Sequence, residues 1–383
     1  MKDYLRALII EQINRGLCLK EMAQYREYPV LTGLAERCKM IIDSNIQDLR
    51  FYLRELEGRQ DNDLRDLFRD VRICIREIEL IEYFGISVLH FETPDVGYLS
   101  NLLFKIHKEI KLPLNPPAVA CISTRYYYFH PFTNVIFVPV GESRFLLHLP
   151  DVFHEIGHQV LTYKDNELAL VKVADNYEQA IKKITIYYEN LRNQKLRETG
   201  PRSTPLILSN IHYQWKTYWI NEFFCDLFAL YTLGPAYAWA HIHLTAKKAE
   251  NVYEFSEIFP SSHPSDEARM KMLIIAVKKI GFDDTASMLL SRWNDLPIVH
   301  STQPVTEYQY AYPEDLMSEI ADLFLQSLKD SDFAIISRKR LNEEKESIIS
   351  LLNEAWTLFR TDPQNFINWE AVTVQKLKNE LGS

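Results

Sequence analysis

The sequence predicts a mainly α-helical protein with one small antiparallel β-sheet, on three observations. Long stretches carry apolar residues at helical spacing. Only 11 glycines occur among 383 residues, against 20 Phe and 21 Tyr, which suits long helices joined by few tight turns. And only two segments, Thr124–Phe129 and Asn134–Val140, combine β-branched and aromatic residues in the manner of strands.

From the amino terminus, amphipathic helices are expected over Leu31–Glu57, stopped by Gly58, over Asp61–Phe84, stopped by Gly85, and from Thr93-Pro94 onward. The proline-rich Leu112–Pro117 reads as a linker into the sheet, whose two strands flank the turn His130–Thr133; Pro139 marks an edge position. A helix follows within Phe145–Leu161, with Pro150 near its start and Asp151 in its first turn, where a negative charge meets the helix dipole favourably. Next come a helix over Asn166–Gln194 and a loop over Lys195–Pro205, read as a surface connector with a lid over a cleft as the alternative. A helical stretch rich in Trp, Phe and Leu runs from Leu206 to Leu233, and further helices cover Asp284–Trp293, Pro313–Leu328 and Arg340–Arg360. The expected division is a helical part at 1–117, a central domain at 118–295 with a helical insertion at about 164–205, and a helical part at 296–383.

The chemistry concentrates in His154-Glu155-Ile156-Gly157-His158. Residues four apart share a helical face, so both imidazoles can address one metal ion while Glu155 stands beside them as a base. The competing explanation is two core histidines with an unrelated Glu between them. A third ligand is offered by Asn221-Glu222-Phe223-Phe224-Cys225-Asp226, where an acidic pair interrupts an apolar helix and therefore needs partners. Glu222 can complete a His2Glu zinc site with the fourth position left for water, and Asp226, one turn on, can accept the remaining ring N–H of a liganding histidine. Cys225 reads as a small buried hydrophobe.

The pair of motifs H-E-x-x-H and N-E-x-x-x-D resembles the gluzincin metallopeptidases. The resemblance implies a zincin-like (gluzincin) core within a helical scaffold, zinc held by His154, His158 and Glu222, Asp226 behind His154, and Glu155 as general base. The interval between His158 and Glu222 is longer than in the best-known soluble members. Downstream, Ser261-Ser-His-Pro-Ser-Asp-Glu-Ala-Arg269 is similar to the S-x-H-P-x-x-x-x-R stretch of the prenyl-protein (CAAX) endopeptidases, their bacterial stress-protease relatives and the compact soluble minigluzincins. There His263 could donate to the oxyanion of a tetrahedral intermediate and Arg269 could brace the site. The plain alternative is a surface loop, a helix cap at Ser262 or Ser265, and a solvated Arg. In the same families an edge strand ahead of the zinc helix binds the substrate backbone in extended form. The resemblance spans about residues 120 to 285.

Composition fits a globular enzyme: 47% hydrophobic and 25% charged residues, with a net charge of −9 that does not favour nucleic acid as a partner. Cys18, Cys38, Cys74, Cys121 and Cys225 are scattered and odd in number, so neither a disulfide framework nor a zinc knuckle is expected, and the early charges of the amino terminus do not resemble a secretory signal. The expected compartment is the cytoplasm. Leu227–Ala246 lacks charge over nearly the length of a bilayer, but Gly234-Pro235 breaks it and His241 and His243 follow; two buried helices explain it better than a membrane span. The sequence thus points to a zinc metalloendopeptidase acting on a protein or peptide substrate. Two rivals are a non-catalytic regulatory or binding module on the same fold, against which an intact Glu155 counts, and a membrane-associated processing protease.

Overall fold

The computed structural model describes residues 2–24, 29–59, 64–90, 94–123, 126–199, 203–248, 251–254, 261–300 and 303–381. They fall into two compact units: Met1–Leu103 with Asn115–Ser143 and Leu377–Ser383, and Phe104–Leu114 with Arg144–Lys376. The protein is mainly helical with one small three-stranded sheet.

In the first unit α1 (Lys2–Met22), α2 (Pro29–Gly58) and α3 (Leu64–Ile81) pack together. α3 buries Leu64, Leu67, Val71, Cys74, Ile78 and Ile81, a stripe at spacings of three and four that supplies its reason to fold. Gly85 does not stop the helical path here, contrary to the expectation from sequence. A wider π turn over Glu82–Ile86 carries the chain through Gly85 into α4 (Ser87–His90), and the following α5 (Pro94–Glu109) begins at the expected Pro94. A Cβ on Gly85 would stand 2.5 Å from Cys38 Sγ, so glycine is needed there for close approach.

The sheet is mixed, not antiparallel throughout. β1 (Ala118–Ser123) pairs parallel with β3 (Val135–Pro139), and β2 (Tyr128–His130) pairs antiparallel with β3 on its other side. β1 was hidden in sequence because a short run of Ala, Val and Cys after two prolines has little β signature; its burial on β3 decides its state. β3 is therefore the central strand. Pro139 is tolerated as its last residue, opposite Ser123 and past the pairing with β2, and marks no edge. Of the expected strand Thr124–Phe129, Thr124 and Arg125 lie outside the described residues.

The second unit contains α6 (Pro150–Tyr163), α7 (Val171–Thr199), α8 (Ser203–Gln214), α9 (Ile220–Leu233), α10 (Pro235–Lys248), α11 (Asp266–Lys279), α12 (Asp283–His300), α13 (Tyr308–Ala311), α14 (Glu314–Asp330), α15 (Arg338–Glu343), α16 (Ile348–Thr361) and most of α17 (Pro363–Leu381). The expected loop over Lys195–Pro205 is largely helix: α7 runs through Thr199 and α8 starts at Ser203, with only 200–202 outside the described residues. Arg340–Arg360 is not one helix either, because Ser347 caps α16 by accepting from the Ser350 N–H and so starts a new one. α9 is buried on every side against α6, α10, α11 and α14, which is why it is apolar all round. Phe223, Phe224 and Phe228 are fully buried and each contributes about 2–3 kcal/mol by leaving water. At Gly234 the backbone turns with φ 98°, a value that favours glycine, and Pro235 opens α10. Among the described residues no helix is long and apolar enough to cross a membrane.

Candidate metal centre

α6 and α9 cross where glycine permits it. A Cβ on Gly157 would lie 2.8 Å from Cys225 Cα, a distance that side chains do not adopt, so the H-E-I-G-H segment and the N-E-F-F-C-D segment touch backbone to backbone. That closeness brings the face of α6 bearing His154 and His158 against the face of α9 bearing Glu222 and Asp226. His154 Nε2 stands 3.3 Å from Glu222 Oε2 and His158 Nε2 3.6 Å from Glu222 Oε1. Two donors each 2.0–2.1 Å from a tetrahedral ion lie ~3.3 Å apart, so each spacing taken singly suits a donor pair on one metal, His154 with Oε2 and His158 with Oε1.

The direction of the contacts fits as well. Glu222 Oε2 is buried yet makes no hydrogen bond among the described residues, although His154 Nε2 is close enough for one. Distance is sufficient and alignment is not: nitrogen and oxygen are not aimed at each other, as when both address a third atom. His154 Nδ1 is engaged behind, 2.9 Å from Asp226 Oδ1 and 3.0 Å from the Tyr237 hydroxyl. This leaves Nε2 as the nitrogen facing Glu222. Asp226 is fully buried and receives Arg269 Nε on Oδ2 at 2.8 Å, Arg269 Nη2 on Oδ1 at 2.6 Å and the Tyr237 hydroxyl on Oδ1 at 2.5 Å. Arg269, expected to brace the site, thus binds the carboxylate behind His154.

Burial opposes charge on these acids, but their partners prevail. Arg269 holds Asp226 well below the usual carboxylate range, and His154, with His158 and His263, brings Glu222 down to about 2. Burial would likewise lower the His154 imidazole; the Asp226 and Glu222 carboxylates outweigh it and raise it to about 10, whereas burial beside His154 lowers His158 to about 4. A pocket that binds a proton so firmly between two carboxylates favours a cation, and a divalent ion competes for the same nitrogen.

Cys225 is a rival ligand. Metal-capable atoms of His154, His158 and Cys225 lie within 4.8 Å of one another. Cys225 is fully buried at the contact with Gly157, however, and burial together with the Glu222, Glu155 and Asp226 carboxylates pushes its thiol well above its ordinary value, which disfavours the thiolate that a metal needs.

Glu155 is buried on α6 beside His154. His263 reaches the site from the loop ahead of α11, with Nε2 3.6 Å from Glu222 Oε2, Nδ1 2.8 Å from Ser262 Oγ, and a side chain 61% exposed. Both ends of that loop are anchored. The Ser261 N–H donates to Gln214 Oε1 at 2.9 Å and Trp219 Nε1 donates to the Ser261 carbonyl at 3.1 Å, from a π turn over Trp215–Trp219. At the far end the Ser265 N–H donates to the Tyr312 hydroxyl at 3.2 Å, Ser265 Oγ and the Tyr308 hydroxyl are 2.6 Å apart, and Ser265 caps α11 by accepting from the Ala268 N–H. Of the two serines considered as the cap, Ser265 fills the role.

No protein-family model, curated protein or solved structure matches the chain. The site therefore stands on its own geometry. Of the residues that sequence reasoning assembled, the fold brings His154, His158 and His263 onto Glu222 and places Asp226 with Arg269 behind His154, while Glu155 is buried on α6 next to His154. Sequence reasoning missed Tyr237, Gln214, Trp219, Tyr308 and Tyr312. These are joined to the site only by tertiary contact, and no local spacing announces them.

Proposed function

We propose that the chain is a zinc-dependent endopeptidase of the gluzincin type, cleaving peptide bonds of a protein substrate. The observation that carries this reading is the pair of imidazole Nε2 atoms, from residues one helical turn apart, standing 3.3 and 3.6 Å from one buried carboxylate with a glutamate beside the first of them. His154, His158 and Glu222 would hold the ion. Two imidazoles and a carboxylate are the donor set of hydrolytic zinc. Bound there, zinc supplies Lewis acidity to the scissile carbonyl and to the attacking water.

The remaining chemistry belongs to the chain. Asp226 and Arg269 keep His154 oriented from behind. Glu155 takes the proton of the attacking water and passes it to the departing amine, so that the peptide C–N bond breaks with a neutral leaving group. His263, exposed and 3.6 Å from Glu222, is placed to donate to the oxygen of the carbonyl as it gains charge. Large helical additions to the chain favour a particular protein target over general digestion.

The test is to express the protein and its Glu155→Gln variant and label new protein amino termini. We expect a small set of termini that appears with the wild type and falls by at least ~10²-fold with Glu155→Gln, at equal zinc content. Termini that persist in the variant, or none in either at full zinc occupancy, would contradict the peptidase reading.

A further inference from the structure

α10 presents a second face, apart from the one that carries Tyr237 and His241. Trp239, His243 and Lys247 recur every four residues there and form one stripe, and Trp356, Phe359 and Arg360 share a face of α16. The two faces meet. The Arg360 guanidinium lies 4.0 Å from the centre of the Trp239 ring, and the His243 ring stands edge-on to Trp356 and to Phe359, 5.6 Å from each. His148, from the turn ahead of α6, completes the cluster, with its ring 5.9 Å from that of His243 and its Nε2 2.7 Å from Lys247 Nζ.

The cluster is rich in donors and lacks an anion. Arg360 Nε reaches the Trp356 carbonyl at 3.4 Å, and neither Nη has a hydrogen-bond acceptor among the described residues. Lys247 meets only His148 among them, and Trp356 Nε1 is buried with no acceptor. The chain carries 52 Asp and Glu against 43 Lys and Arg, yet no carboxylate among the described residues pairs with either cation. Lys247 has no lone pair to offer, so the His148 nitrogen that faces it accepts and that ring is neutral. Burial, then Lys247 and His148, lower His243 to about 4, so it too is uncharged at neutral pH. Burial also lowers the half-buried Arg360 guanidinium, with no carboxylate to offset the cost.

The two charges flank one imidazole. Lys247 meets His148, whose ring adjoins His243, and Arg360 Nε meets the carbonyl of Trp356, whose ring also adjoins His243. We propose that this face of α10 and α16 is a binding site for a phosphate group, held by Arg360 and Lys247 on either side of His243. A planar carboxylate is satisfied by one guanidinium through two parallel bonds, whereas two cations from different helices suit a tetrahedral dianion that neutralises both. The Trp239 ring already holds Arg360 in place, which reduces the ordering that binding requires. The site shares no residue with the metal centre and does not rest on the peptidase reading.

The experiment titrates the full-length protein with inorganic phosphate at constant ionic strength, with phosphoserine and acetate in parallel. Calorimetry gives the affinity, and the indole 1H–15N resonance of Trp356, assigned by its loss in Trp356→Phe, reports the place. We expect saturable binding of one phosphate per chain that moves this resonance, with affinity at least ~10-fold lower in Arg360→Gln and in Lys247→Gln, as loss of one charge-assisted contact brings. Lys248→Gln, at the neighbouring exposed lysine, should bind as the wild type does. Phosphoserine bound as well as phosphate identifies a phosphate monoester as the ligand, and binding of phosphate alone identifies the free ion; either result supports the site. Absence of saturation with both overturns the proposal on the wild type alone, whether or not a variant folds. Unchanged affinity in Arg360→Gln or Lys247→Gln, an equal loss in Lys248→Gln, or acetate bound as tightly as phosphate overturns it as well. Saturation that disappears with a zinc chelator would put the phosphate on a metal instead, and that also overturns it.

Discussion

Glu222 is the side chain on which the imidazoles converge: His154 and His263 approach Oε2, and His158 approaches Oε1. A buried carboxylate pulled down to about 2 holds its charge across physiological pH, and its unbonded Oε2 keeps a lone pair for a cation. Cys225, one turn along the same helix, has the opposite character, because its thiol is pushed up and its surroundings are the backbone of Gly157. The two candidates therefore part on substitution. Purified Glu222→Ala should lose most of its zinc while remaining folded, and Cys225→Ala should retain close to one zinc per chain. Metal analysis of the two proteins checks this, and the reverse pattern would make Cys225 the third ligand.

At the scale of elements, the crossing of α6 and α9 decides whether the ligands meet at all. The required contact is backbone to backbone, Gly157 on Cys225 Cα, and shortening the partner side chain does not relieve it. Gly157→Ala should thus cost about 1–3 kcal/mol of stability, as overpacking does, and also weaken zinc binding by spreading the helices. Thermal unfolding and chelator competition on one preparation measure both; loss of stability with unchanged zinc affinity would show that the ligands tolerate a wider crossing. The loop bearing His263 is the second decisive element, held between the π turn ahead of α9 and the tyrosines of and next to α13. Tyr312→Phe removes the acceptor of the Ser265 N–H at one end. If His263 acts on the developing oxyanion, kcat should fall by roughly tenfold with KM and zinc content little changed, since the contact matters only as charge develops. A rise in KM alone would make His263 a substrate contact.

For the whole molecule, legibility followed the range of the interactions. The helices of the site could be read because two ligands or a ligand and its support lie four residues apart, a spacing that is local. α9 could be placed because two acids in an apolar helix demand partners. β1 could not, because only its burial along β3 makes Ala118–Ser123 a strand, and the central position of β3 follows from a parallel pairing across intervening β2. The division between α15 and α16 was masked by a run of charge around Ser347, whose capping role depends on its backbone conformation. Tyr237 was out of reach for a related reason: a helix break separates it from Asp226, and only the turn at Gly234 returns it to His154. The central claim, that two imidazoles and a carboxylate of this chain hold a catalytic zinc, is tested most directly by X-ray absorption at the zinc edge of the purified protein. The expected spectrum shows a shell of nitrogen and oxygen at ~2.0–2.1 Å with two imidazoles and no sulfur. A sulfur neighbour at ~2.3 Å, which Cys225 would supply, or a protein that takes up no zinc, would contradict it.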